Sequence, residues 1–163
     1  MKSNFPKPGE VTFICVRPEK REPVTVVESV EASVEEGLIG DHFNGKPGDK
    51  CMVTLIQAEH IDFVSNVMDQ KVDPALLRRN IVVSGINLLA LKNKTFQIGE
   101  AILEGTKPCP PCSRMEENLG LGGYNAMRGH GGINARVIQS GKISVGDSLT
   151  VLQNESSVGA ADE

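Results

Sequence analysis

The sequence predicts a mostly-β domain, a closed or partly open β-barrel with a few helices packed outside it. Three observations carry this. Many short runs rich in Val, Ile and Leu recur along the chain. Gly- and Pro-rich turns separate them. Only two segments have convincing helical spacing, so strands must supply the core layer. Trp is absent and Tyr124 is the sole tyrosine, which leaves β-branched residues and Leu to fill the interior.

Taken in order, residues 1–9, with Pro6, Pro8 and Gly9, read as a flexible lead-in. Residues 11–17 (VTFICVR) read as a strand, and residues 18–23 as a charged turn. Residues 24–34 alternate well enough for a second strand, followed by a Gly- and Asp-rich loop at 37–49. The apolar run 51–56 leads into the clearest helix, 57–69, where Ile61, Val64 and Met68 share one face. A short helix at 73–79 has Asp73 as N-cap and Pro74 in its first turn. Strand character returns in NIVVSG, LLAL and FQIGEAILEGT. The prolines of 107–115 keep that stretch out of a sheet interior. One helical turn is expected at 113–119 and a Gly-rich loop at 120–132. INARVIQ and SLTVL are the last strands, with SGKISVGD between them. The small, polar tail 153–163 is expected to be disordered. Residues 10–152 thus form one domain, with no internal repeat and no dividing linker.

A formal charge of -4 argues against nucleic-acid binding by bulk electrostatics. No segment is long and apolar enough to span a bilayer, and no apolar run follows the first lysines as a signal peptide requires. The expected setting is cytoplasmic and reducing, with the four cysteines as thiols.

Cys109 and Cys112 form C-P-P-C. The spacing fits half of a zinc site, but Cys15 and Cys51 are too far apart to form the second pair. It also fits a dithiol redox centre, a motif that normally opens a helix after a strand in a βαβ unit, and this chain is expected to lack such a unit. A third reading is a single thiolate acting as nucleophile, persulfide carrier or soft-metal ligand. The plain alternative is two cysteines without chemistry, although loop cysteines among three prolines are poor core fillers. Cations favour a thiolate. Lys107 and Arg114 flank the pair, and Arg128, His130 and Arg136 are candidates to approach it or to be ordinary surface.

Arg78 and Arg79, just before Asn80, either hold a phosphate bidentately or end the short helix against its dipole. The loop 120–132 either turns backbone N–H groups toward an anion or serves as a hairpin or lid; it is not a P-loop. Asp41 and His42 read as site residues, or Asp41 as a turn cap. His60 reads as surface.

The pieces, in order, resemble the MOSC domain, named for the C-terminus of molybdenum-cofactor sulfurases. They are GLIGDH at 37–42, LIQAE at 55–59, RRNIVVSG at 78–85 and F-x-I-G-x-A-x-L-E at 96–104. CPPC at 109–112, GGYNA with GGINARV through 137, and G-x-I-x-x-G-D at 141–147 complete the set, which covers about 110 residues. The resemblance implies a β-barrel with peripheral helices and a link to the pterin-based molybdenum cofactor. By its place before M-E-x-N-x-G, the family's sulfur-carrying or molybdenum-ligating cysteine looks like Cys112, with Cys109 as its neighbour. R-x-N-I-V resembles the element that meets the cofactor in amidoxime-reducing relatives, which matches Arg78 and Asn80. Arg114, Asn125, Arg128, His130 and Arg136 join the candidate cofactor-binding set. Pyridoxal phosphate is associated with the family, but in the sulfurases it belongs to a separate domain with no counterpart in these 163 residues.

Two functions follow from the resemblance. One is an enzyme in which the Cys112 thiolate ligates molybdenum, reducing N-hydroxylated small molecules with electrons from a separate reductase. The other is a sulfur carrier in which Cys112 takes a persulfide from a cysteine-desulfurase-type donor. Local chemistry also singles out Cys112. Cys109 lies between two prolines, whereas Cys112 precedes a helical turn whose free N–H groups favour a thiolate.

Overall fold

A computed structural model describes residues 1–152, so the expected disordered tail lies outside the described residues. Seven strands close into a barrel. In chain order the strands are β1 (Gly9–Val16), β2 (Thr25–Val27), β3 (Ser29–Ser33), β4 (Gly37–Leu38), β5 (Val53–Gln57), β6 (Ile81–Ser84), β7 (Thr95–Ile98), β8 (Ala101–Pro108), β9 (Ile133–Gln139), β10 (Gly141–Ser144) and β11 (Ser148–Val151). Around the ring the order is β1-β11-β7-β8-β9-β5-β6 and back to β1. β2 hangs on the outer edge of β1, and β10-β3-β4 forms a separate three-stranded sheet. The mostly-β barrel expected from the sequence is therefore present, and it is closed. At the amino end, Phe5 packs against the barrel core.

Among the described strands β5 and β6 are the one parallel pair, joined by helix α1 (Ala58–Met68) and a 3-10 turn at Pro74–Leu77. This is a βαβ unit, contrary to the sequence reading. It escaped notice because β6, IVVS, is buried on both faces and shows no alternation. Ile81 and Val83 point into the barrel, while Val82 points out under the helices. The C-P-P-C segment lies elsewhere, between the antiparallel strands β8 and β9.

Two apolar layers follow. Leu55, Phe96, Ile98, Leu103, Ile133 and Val137 fill the barrel interior. Outside, Ile56 and Val82 pack against Ile61 and Val64 of α1. Met115 and Leu119 of α2 (Arg114–Leu119) and Met127 of α3 (Gly123–Met127) complete this second layer. Each such side chain contributes about 1.5–3 kcal/mol on burial.

Three local expectations need correction. LLAL is a 3-10 turn, Leu88–Leu91, because the Asn87 side chain accepts from the Leu89 N–H at 3.3 Å and caps it. SGKISVGD contains strand β10, which pairs with β3 rather than joining the barrel. The Gly-rich loop contains α3, whose first N–H groups are met from outside. Glu116 accepts from Gly122 N at 2.9 Å and Tyr124 N at 3.0 Å. Those two bonds hold the Glu116 carboxyl below the usual carboxylate range.

Candidate functional site

β8 delivers the cysteine pair to the rim of the barrel. Pro108 still pairs with Ile133, and Cys109 N donates to Gly132 O at 2.8 Å, so Cys109 is the last residue tied to the ladder. Pro111 is buried and pins the loop; Cys112 beyond it is exposed. Met115 N then donates to Cys112 O at 2.9 Å as α2 begins. The two thiols are not equivalent. Cys109 is half-buried beside Asn134 and Cys51, and burial pushes its thiol up while Arg79 opposes the rise.

Arg79 is buried and acts as a clamp. Its Nε donates to Gly131 O at 2.7 Å, and its other nitrogens reach Leu77 O at 3.3 Å, Cys109 O at 3.4 Å and Pro110 O at 3.2 Å. One guanidinium thus joins the 3-10 turn, the cysteine loop and the start of β9. The fit demands glycine, because a Cβ on Gly131 would collide with Cys109 O and one on Gly132 with Leu55 O. Four of the five N–H donors of Arg79 go to backbone carbonyls and the residue is buried, so it does not offer a phosphate the bidentate fork that the sequence allowed it.

Asn80 is likewise spent inside the fold. Its Oδ1 accepts from Thr54 N at 3.0 Å and Thr54 Oγ1 at 3.1 Å, and its Nδ2 donates to Cys15 O at 3.2 Å. It braces β1, β5 and β6 rather than facing a ligand. The buried Cys15 Sγ donates to Arg79 O at 3.0 Å. Its thiol is pushed up to about 12, by burial first and by Asp41 next.

Arg78 is the member of the pair that faces outward. It takes a left-handed backbone, φ 56°, and its Nη1 donates to Glu22 O at 2.8 Å. Its neighbours by charge include Arg17, Arg114, Cys15 and Cys112; burial and then the two guanidinium groups depress its own basicity. The strand register explains Arg17. Ile14 pairs with Ile81 and Cys15 N donates to Asn80 O at 2.8 Å; Arg17 follows just beyond the end of β1, and its charge is felt by Arg78. Asp41 fixes Arg17, accepting its backbone N–H at 2.7 Å and lying 3.6 Å from its Nε. Arg114 arrives from the other side, since α2 packs on the 3-10 turn and Asn118 Nδ2 donates to Leu76 O at 2.8 Å.

The other candidates lie apart from this group. Arg136 sits on the outer face of β9 with Glu104 at 3.2 Å. His130 stacks on Phe63 of α1, ring centroids 4.1 Å apart, and meets the edge of His60 at 4.9 Å. Asn125 and Arg128 are exposed on and just after α3, without side-chain bonds among the described residues. The structure therefore gathers Cys109, Cys112, Arg78 and Arg114, and adds Arg17. Sequence reasoning missed Arg17 because its neighbour is set by strand pairing across more than sixty residues.

The family profile described as MOSC domain matches residues 42–150. The fold is similar to that of the YuaD protein from Bacillus subtilis, with TM-score 0.76 and 18% identity over 89% of this chain and 96% of that one. YiiM from Geobacillus stearothermophilus is similar with TM-score 0.75 and 20% identity, covering 94% and 78% of the two chains. YiiM from Escherichia coli gives 0.69 and 20%, covering 91% and 71%. No curated protein matches. Among the described residues no helix is long and apolar enough to cross a membrane.

Proposed function

The chain belongs to the MOSC domain family, and from that premise we propose that Cys112 is the thiolate of a molybdenum-cofactor site that serves the reduction of N-hydroxylated small molecules. The observation that carries this is an exposed cysteine on a loop held by Arg79, leading into the helix that bears Arg114 and packs on the 3-10 turn before Arg78. A thiolate is a soft donor suited to molybdenum, and guanidinium groups suit a phosphate. Both donor types of the pterin cofactor are thus matched in one place. When bound, the cofactor would supply a redox metal able to accept an oxygen atom from substrate, with electrons from an external reductase. Pyridoxal phosphate is left out, because its chemistry asks for a lysine Schiff base and the cations neighbouring Arg78 are arginines.

The chain's own residues have distinct tasks in this reading. Cys112 presents the sulfur. Arg78 and Arg114 neutralise and orient the anionic end of the cofactor. Arg79 holds the loop carbonyls of Cys109 and Pro110 so that Cys112 keeps its place. Cys109, its thiol raised by burial, keeps its proton near neutral pH and does not compete as a ligand.

The exposure of Cys112 also favours a second reading, transfer of sulfane sulfur. The Cys112 thiolate would attack the outer sulfur of a donor persulfide, forming a new S–S bond as the donor thiolate leaves. Metal analysis separates the readings. Protein purified from a host that makes the cofactor should carry near-stoichiometric molybdenum, lost in Cys112→Ser. Absence of molybdenum, with a mass gain of one sulfur at Cys112 after incubation with a persulfide donor, would replace the enzyme by the carrier.

A further inference from the structure

We infer that His130, stacked on Phe63 and set edge-on against His60, is a positioning residue that fastens the cysteine loop and releases it in acid, when both imidazoles are charged. For its consequence at Cys112 the inference rests on the proposal above, and it names a regulation of that site.

The first argument is mechanical. Residues 129–132 read Gly-His-Gly-Gly, so the imidazole is the only side chain on the segment that leads into β9. The two glycines after it carry the cysteine loop. Gly131 O accepts from Arg79 Nε at 2.7 Å, and Arg79 in turn reaches Cys109 O and Pro110 O. Gly132 O accepts from Cys109 N at 2.8 Å. A Cβ on Gly131 would meet Cys109 O, so no side chain can stand there to fasten the segment directly. The fastening falls to His130. Its ring lies on Phe63 with centroids 4.1 Å apart and planes 16° from parallel, and it meets His60 at 4.9 Å and 78°. Both partners stand on α1, which is seated on the barrel through Ile61 and Val64. The ring is also steered by Arg128 O, 2.9 Å from Nδ1. A carbonyl only accepts, so Nδ1 carries the proton of the neutral ring.

The second argument is charge. His60 and His130 are both half-buried, and an imidazole ordinarily titrates near pH 6.5. One charge, on His130, suits the stack, because a cation over an aromatic face is attracted to it. A second charge on His60 opposes it. At the 4.9 Å between the rings, two unit charges repel by roughly a factor of four in an equilibrium constant, even at the dielectric of water. Burial first and His130 next hold His60 below the ordinary histidine range, while Glu59 works the other way. Glu59 does not switch in this range. Burial would raise its carboxyl, but bonds from Gly85 N at 2.9 Å and Gln57 Nε2 at 3.4 Å outweigh that and keep it an anion. Asp62 on α1 and Arg128 after α3 adjoin the pair in sequence and are exposed. With the basicity of His60 depressed in the folded chain, the unfolded chain takes up that proton first as pH falls. The latch is therefore intact above pH 6.5 and weakens through the window below it.

The test uses the full chain and needs no cofactor. Nuclear magnetic resonance follows the imidazole Cε1–H signals and the hydrogen exchange of the Cys109 amide, corrected for its intrinsic pH dependence, from about pH 7.5 to about pH 5. Protection of that amide should fall roughly fourfold or more across the range, in step with the His60 titration. His60→Gln removes the second charge and should leave the protection flat with pH. Phe63→Leu removes the stack and should lower the protection already at neutral pH, which keeps the latch testable if His60→Gln does not fold. Flat protection in the native sequence, an equal fall in His60→Gln, or unchanged protection in Phe63→Leu would overturn the latch. If the latch responds but no molybdenum is ever retained, the latch stands and the cofactor proposal falls. If protection is flat while Cys112→Ser loses molybdenum, only the latch falls.

Discussion

At the scale of single residues, the four cysteines of the chain span three degrees of burial. Cys15 is buried and donates to Arg79 O, Cys109 is half-buried, and Cys51 and Cys112 are exposed. Native protein treated with limiting iodoacetamide should therefore be labelled at Cys112 ahead of Cys109, and at Cys15 last. Labelling of Cys15 first, read by peptide mass spectrometry, would contradict the placement. Cys15 also predicts a pH dependence. Its thiol lies near 12 in the folded chain against an ordinary 9.0. Below pH 9.0 both states carry the proton, and the stability linked to Cys15 is fully present. Between 9.0 and about 12 only the unfolded chain ionises, so stability should fall as pH rises through that window. Urea midpoints across the range should show this slope in the native sequence and a shallower one in Cys15→Ala. Much at this scale was legible from sequence. An apolar strand around Cys15 indicated burial, and prolines around Cys109 and Cys112 indicated a loop outside the sheet interior. The role of Asn80 was not legible, because its partners Thr54 and Cys15 lie on strands distant in sequence.

Between elements, the connections rest on a few buried polar groups. Arg79 links the 3-10 turn, the β8–α2 loop and the approach to β9 through backbone carbonyls. Arg79→Met removes these donors and leaves buried acceptors unpaired, at a cost of about 3 kcal/mol. Beyond that loss, measured by chemical denaturation, Cys109 should become alkylated faster as its loop leaves the barrel rim. An unchanged Cys109 rate in the folded variant would show that Arg79 does not hold the loop. Asn80→Ala should cost about 2 kcal/mol through lost bonds to Thr54 and Cys15, yet leave Cys112 reactivity unchanged. The sequence placed most strands and α1 correctly because their apolar runs and turn residues are local signals. It missed α3, since glycines at 120, 122 and 123 lower helix propensity. The compensation comes from Glu116 on α2, six and eight residues upstream, whose side chain caps that helix.

For the whole molecule, closure decides stability. β1 pairs with both β11 and β6, so the first and last strands of the barrel meet there. A chain ending at Gln153 retains β11 and should keep its thermal midpoint nearly unchanged. A chain ending at Asp147 loses β11, leaves β1 and β7 with open edges, and should not fold cooperatively. A midpoint retained after loss of β11 would mean that closure is not needed. The fold class was readable from strand number and turn spacing, whereas the seam was not, because strand pairing between the two ends of a chain leaves no local trace. The central claim is that one cysteine of the C-P-P-C pair, exposed Cys112, does the chemistry while half-buried Cys109 supports it. The most direct test compares molybdenum retention and sulfur loading in Cys112→Ser and Cys109→Ser, prepared side by side from the same host. The account predicts that Cys112→Ser abolishes both and that Cys109→Ser weakens them only in part. Equal loss in the two variants would contradict it and point to a dithiol working as a pair.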